Sequence, residues 1–278
     1  MLGLLLAAAL GAVGTVGYLT FLRPADNPPA DACSEGAKPG TRPIVVAAGA
    51  SMTQGALGAD WIGTLRTRPQ HQGYDLVNAG VNGNTTADLR RRIDTDVVAC
   101  RPAAVTLLIG TNDVRNGVPL EQYRDNLRAI VDRVKTRTTA HIALMSLPPL
   151  GENLDAEINR SLRGYNAAIK EIATSAGVAY LPVHEQMVEV LRRGRGNRPD
   201  YAFSFVHAFA SAAQHYLLGR SWDQVAHSGG MELFVDHIHL SDRGGTIVAD
   251  LASTWLSSLQ GGQGARRMAD LDAVRSTD

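Results

Sequence analysis

One serine in the chain sits where covalent chemistry would place it. Ser51 lies in AAGASMTQGALG (47–58), just after the β-branched run Ile44-Val45-Val46. A serine hydroxyl is a weak nucleophile near neutral pH and needs an adjacent base to take its proton. Two imidazoles and a carboxylate stand together late in the chain, in Asp236-His237-Ile238-His239-Leu240-Ser241. Acyl transfer also needs N–H donors aimed at the oxyanion of the tetrahedral intermediate. The Gly/Asn-rich stretches NAGVNGNTT (78–86) and GTND (110–113) carry such donors. Each block alone has a plainer reading. Ser51 would serve as the N-cap of the next segment, and Asn112-Asp113 would close an Asx turn.

The elements that must position these blocks emerge from hydrophobic pattern. Five short apolar runs are bounded by Gly, Pro or Asn: PIVVAA (43–48), DLVNAG (75–80), AAVTLLIG (103–110), HIALMSL (141–147) and VAYLPV (178–183). Runs that are apolar throughout describe strands buried on both faces of a parallel sheet. Between them, 119–136 places Tyr123, Leu127, Ile130 and Val134 on one helical face. Residues 154–175 do the same with Ile158, Leu162, Tyr165, Ile169 and Ile172, then stop at Gly177. The pattern predicts an α/β domain, doubly wound, with a mainly parallel five-stranded sheet and helices on both faces. Ligands of such sheets bind outside the carboxyl ends of the strands. Ser51 comes after the first strand, 78–86 after the second and 110–113 after the third, so with 236–241 the four blocks are expected at one edge.

Four blocks in this order resemble the SGNH (GDSL-like) hydrolases, over about residues 43–250. The turn at Ser51 resembles the family's Gly-Asp-Ser turn, with Thr53 and Gly55 in place and Ala50 where the family has Asp. That aspartate is not the acid of the family's triad, so the departure bears on how the turn is braced. The resemblance implies a flavodoxin-like SGNH fold and selects His239, not His237, as the base, with Asp236 orienting its ring. It also implies an oxyanion hole from the backbone N–H groups of Ser51 and Gly83 and the Asn112 amide. Spacing of three lets Asp236 and His239 converge from one turn, and glycine at 83 allows close approach and any positive φ. The expected activity is a serine esterase or lipase acting on short acyl or lipid esters through an acyl-enzyme. Turnover would fall on acidification around the ordinary histidine range of about 6–7. An envelope O-acyltransferase and a non-catalytic binding module on the same fold are the alternatives.

Lys+Arg and Asp+Glu both number 27, so no basic excess points to nucleic acid. His71, His141, His184, His207, His215 and His227 are scattered without metal-ligand spacing, so neither metal nor cofactor is expected. Residues 1–22 contain no charged side chain and read as a membrane anchor or export signal, placing the domain in the envelope. Residues 23–42 read as a linker, 43–260 as the hydrolase domain, and 261–278 as a mobile tail. Cys33 and Cys100 are expected to pair in an exported chain, the alternative being two free thiols. An insertion over about 186–234 holds four of the five Phe within 201–234. It reads either as a cap offering apolar walls to substrate, an acyl chain included, or as an excursion that buries itself. Oligomeric state is not legible.

Overall fold

The computed structural model describes residues 1–33, 42–194 and 198–275, with the side chains of 2, 4–6, 9 and 261–275 outside that description. Five strands form one sheet: β1 (Ile44–Gly49), β2 (Asp75–Gly80), β3 (Ala104–Leu108), β4 (His141–Met145) and β5 (Ala179–Leu181). Their order is β2-β1-β3-β4-β5 and every pairing is parallel. All residues of β1 and β3 are buried, as their unbroken apolar runs require.

Twelve α-helices lie among the described residues. Around the first half of the sheet lie α1 (Leu2–Gly17), α2 (Pro29–Ala32), α3 (Ser51–Gln54), α4 (Trp61–Thr67), α5 (Thr86–Asp96) and α6 (Thr111–Arg115). The rest are α7 (Leu120–Arg137), α8 (Glu157–Ala176), α9 (Val183–Arg193), α10 (Phe205–Leu218), α11 (Trp222–Ser228) and α12 (Asp242–Arg275). Helices α5, α7 and α8 pack in series in one layer, and α4, α12 and α9 in another. Tyr123, Leu127, Ile130 and Val134 of α7 are buried together, as their spacing predicts.

Register sets the site. Gly49 pairs with Gly80 on one side and with Leu108 on the other, so β1, β2 and β3 end level. The chain order reverses direction across the sheet between β1 and β3, which opens a crevice at their carboxyl ends. Helix α3 lies close over the end of β2. A Cβ on Gly80 would stand 2.2 Å from the Gln54 nitrogen, so only glycine fits there.

The N-terminal region packs on the domain. Among the described residues, no helix is long and apolar enough to cross a membrane. The apolar run is divided: α1 ends at Gly17 and gives way to a π-helical turn, Tyr18–Leu22. Val16 and Thr20 are buried there, and the Asn82 amide donates to the carbonyls of Thr20 (3.3 Å) and Phe21 (3.5 Å). The expected linker is docked over 23–33, while 34–41 lie outside the described residues. The Asn27 carbonyl accepts from the Asn78 N–H of edge strand β2, and the Asn27 amide donates to Asp75 and to the Leu76 carbonyl. The segment thereby covers backbone groups that an edge would leave unpaired. Cys33 and Cys100 are joined by a disulfide that closes this segment against the end of α5.

Two features mark the C-terminal half. Helix α9 follows the last strand, β5, and packs on α12, so the excursion from the layered core starts after Arg193. Arg198 ties it down with a fork to Glu152 (2.7 Å) and Glu232 (2.8 Å). Where a mobile tail is expected from Gly261, the backbone of α12 continues to Arg275, through a stretch rich in helix-forming Ala, Arg, Leu and Met. Residues 276–278 lie outside the described residues.

Candidate active site

Ser51 is the first residue of α3, directly beyond β1, so its side chain emerges at the carboxyl end of the sheet. Its Oγ stands 2.9 Å from His239 Nε2, and His239 Nδ1 stands 2.7 Å from Asp236 Oδ2. An ionised carboxylate only accepts, so Nδ1 carries the proton and Nε2 is free to accept from the serine hydroxyl.

A tight turn builds the Asp-His pair. Phe234 and Leu240 form an antiparallel bridge, and the Val235 N–H donates to the His239 carbonyl at 2.8 Å. Within the turn the second Asp236 oxygen accepts from the N–H groups of Ile238 (3.1 Å) and His239 (2.9 Å). His237 takes φ +74°, which turns the chain so that successive side chains diverge. Its ring meets Tyr201 and His207 edge-on, at 6.0 and 5.7 Å, and does not approach Ser51. Asp236 is fully buried. Burial pushes its carboxyl up, but the His239 ring and the two backbone donors outweigh that and hold it below the usual carboxylate range. His237 is held below the ordinary histidine range, first by burial and then by His207.

The donor blocks meet at the same edge. Gly83 has φ +76°, a conformation that favours glycine, and open space where a Cβ would stand. Asn112 lies on α6, beyond β3, and its Nδ2 donates to the Asn84 carbonyl at 3.0 Å, tying the second block to the third. Asp113 does not close an Asx turn of its own. It is fully buried and accepts from the Thr86 backbone N–H at 2.9 Å and from the Thr86 hydroxyl, clamping α6 to the start of α5.

Three residues of the site were not singled out by sequence reasoning. Arg92 donates to the Gly49 carbonyl (2.9 Å), the Ala79 carbonyl (2.9 Å) and Asn84 Oδ1 (2.7 Å), bracing the loop that carries Gly83. Arg115 donates to Asn112 Oδ1 at 3.1 Å and to the Tyr201 hydroxyl at 3.0 Å. Phe203 lies under the Arg115 guanidinium (4.3 Å) and 6.4 Å from the His239 ring. Arg92 sits in a helical pattern among other arginines, so nothing local marked it. The aromatic clustering of 201–234 was the one signal that pointed towards Phe203.

The parallel sheet, the reversal of strand order and a serine hydrogen-bonded to an Asp-supported histidine are those of an SGNH hydrolase. The chain belongs to the GDSL-like Lipase/Acylhydrolase family, whose model matches residues 47–247, and it is an ester-hydrolysing enzyme. It is similar to an acetylxylan esterase of Geobacillus stearothermophilus, 28% identical over 182 residues, which are 60% of this chain and 81% of that protein. It is also similar to the esterase TesA of Pseudomonas aeruginosa, 31% identical over 101 residues, 34% of this chain and 50% of the relative. Among solved structures, the acetylxylan esterase Axe2 of Geobacillus stearothermophilus superposes with a TM-score of 0.56 at 23% identity, covering 76% of this chain and 93% of Axe2. That likeness concerns the fold.

Proposed function

We propose that the enzyme hydrolyses carboxylic esters, of short acyl groups or lipids, through an acyl-enzyme on Ser51. The observation that carries this reading is the unbroken hydrogen-bond path from Ser51 Oγ through His239 to Asp236, at 2.9 and 2.7 Å. His239 Nε2 takes the serine proton as Oγ attacks the ester carbonyl. The N–H groups of Ser51 and Gly83 and the Asn112 amide stabilise the oxyanion. As the tetrahedral intermediate collapses, the C–O bond to the alcohol breaks and His239 returns the proton to the leaving oxygen. Water then attacks the acyl-enzyme with His239 again as base, releasing the acid and restoring the serine.

Ala50 is compatible with this arrangement. Its carbonyl accepts from the N–H groups of Thr53 and Gln54, so the turn is braced through the backbone. An envelope location is supported by the uncharged segment 1–22 and by the disulfide, which persists in oxidising compartments. The similar lipoprotein YqeF of Bacillus subtilis (strain 168), 28% identical over 123 residues (39% of this chain, 50% of the relative), supports the same placement.

The test is steady-state hydrolysis of p-nitrophenyl esters by the wild type and by Ser51→Ala. Replacing the nucleophile is expected to lower kcat by a factor on the order of 10⁴ or more. Turnover by Ser51→Ala near the wild-type rate would refute the reading. A polyol added as acceptor should leave free acid as the product, and an acylated polyol would instead make the enzyme a transferase.

A further inference from the structure

We propose that the substrate's acyl group is an apolar chain longer than acetyl, and that it lies in an open trough walled by Phe21, Phe205, Val206 and Phe209. The inference rests on Ser51 being the nucleophile and names the substrate class of that site. The trough holds about 460 Å³ and these four side chains line it. Its walls come from two elements far apart in sequence, the π-helical turn after α1 and the first half of α10. Phe205 and Val206 are 71% and 80% exposed. Large apolar side chains grouped in water mark a groove or an interaction site, because isolated exposure is common but grouped exposure is not.

Continuity with the catalytic histidine identifies the occupant. The Phe203 ring stands 6.4 Å from the His239 ring and 5.5 Å from that of Phe205, which meets Phe21 edge-on at 6.4 Å. Arg115 covers Phe203 and donates to Tyr201, so the first ring of this path is held in place. An aromatic wall therefore runs from the imidazole that serves Ser51 to the trough. A methylene chain leaves water at each step along it, whereas a sugar would meet no hydrogen-bonding side chain among the four residues lining the trough. Full withdrawal of one methylene from water is worth roughly fourfold in affinity. In an open trough, about twofold per methylene is the expected gain.

The full chain, exchanged out of detergent so that none fills the trough, is assayed on p-nitrophenyl acetate, butyrate, hexanoate and octanoate. For the wild type, kcat/KM should rise at least tenfold from acetate to octanoate. Phe205→Ser/Val206→Ser should lower the octanoate-to-acetate ratio at least fivefold, and Phe21→Ser, from the opposite wall, should act in the same direction. Leu218→Ser, exposed on the same helix outside the trough, should keep the wild-type ratio. A wild type that prefers acetate, or variants with an unchanged ratio, would overturn the proposal. So would variants that lose affinity for phosphatidylcholine vesicles yet keep the octanoate preference, because the trough would then dock lipid instead of substrate. Labelling with a fluorophosphonate separates the two readings. A folded chain that neither labels at Ser51 nor turns over acetate fails as a serine esterase, whatever the trough does.

Discussion

At the scale of single residues, the orientation of one amide decides whether the proposed oxyanion hole has its third donor. A guanidinium only donates, so Arg115 must face Asn112 Oδ1, and the Asn84 carbonyl only accepts, so it must face Nδ2. Both neighbours demand the same orientation, and on the proposed mechanism it leaves the second Nδ2 hydrogen for the substrate. Asn112→Ala is expected to lower kcat by a factor on the order of 10², about 3 kcal/mol of barrier, with little change in KM. Arg115→Ala should cost about tenfold in kcat, because Asn112 then samples both amide orientations. In the Asn112→Ala background the same change should cost little. Steady-state kinetics on the four proteins measures this coupling, and an undiminished Arg115 effect in the double variant would mean that Arg115 acts by another route.

At the scale of elements, the N-terminal segment is joined to the proposed catalytic machinery as well as to the edge of the sheet. Gln54, at the end of α3, the helix that carries the proposed nucleophile, donates to the Arg23 carbonyl at 2.8 Å and accepts from the Asn82 N–H at 2.6 Å. One side chain thus connects the docked segment, the nucleophile turn and the loop that presents Gly83. Gln54→Ala should lower kcat severalfold while binding of substrate, read as KM, changes little, because the loop loses a support that is in place before substrate arrives. A variant with unchanged kcat would show that Arg92 alone holds the loop. The disulfide supports the same junction from the other side, closing a loop of 67 residues between Cys33 and Cys100. In the chain-entropy account, a closure of that length stabilises by about 4 kcal/mol. Cys33→Ser should accordingly lower the unfolding midpoint in urea, and no shift would mean that 23–33 docks without help.

At the scale of the whole molecule, stability should depend on histidines outside the catalytic site as well as on the carboxylates. His71, His184 and His237 are each held below the ordinary histidine value of 6.5, in every case by burial first. They stay neutral in the fold while the unfolded chain takes up protons below 6.5. Stability is therefore complete above that pH and is lost as the pH falls towards their folded values. Asp113 acts with the opposite sign. Burial raises its carboxyl, so between 3.8 and its folded value the native state binds the extra proton and acidification favours folding. With three histidines shifted this way, the melting temperature is expected to be lower at pH 5.5 than at pH 7.5. Calorimetry at the two pH values tests this, and an equal or higher value at pH 5.5 would count against it.

Local pattern in the chain sufficed for the strands, for helices α7 and α8, and for the placement of Ser51, Gly83 and Asn112 just beyond β1, β2 and β3. Strand and helix periods repeat within a few residues, and parallel strands of similar length end level, so the residues just after each strand gather at one edge. The pairing of Asp236 with His239 was expected from the family resemblance, and three residues of spacing let the two converge from one turn. Which histidine turned towards Ser51 depended on the φ of +74° at His237, a conformation that no local pattern announces. Arg115 and Tyr201, 86 residues apart in sequence, met only because α6 and the excursion after α9 close over the same crevice. The docking of the N-terminal segment on Asn82, and the trough it shares with α10, likewise arose from contacts between distant segments. Such contacts carry no periodic signal, because each is decided by shape and hydrogen-bond partners that exist only once the sheet has formed.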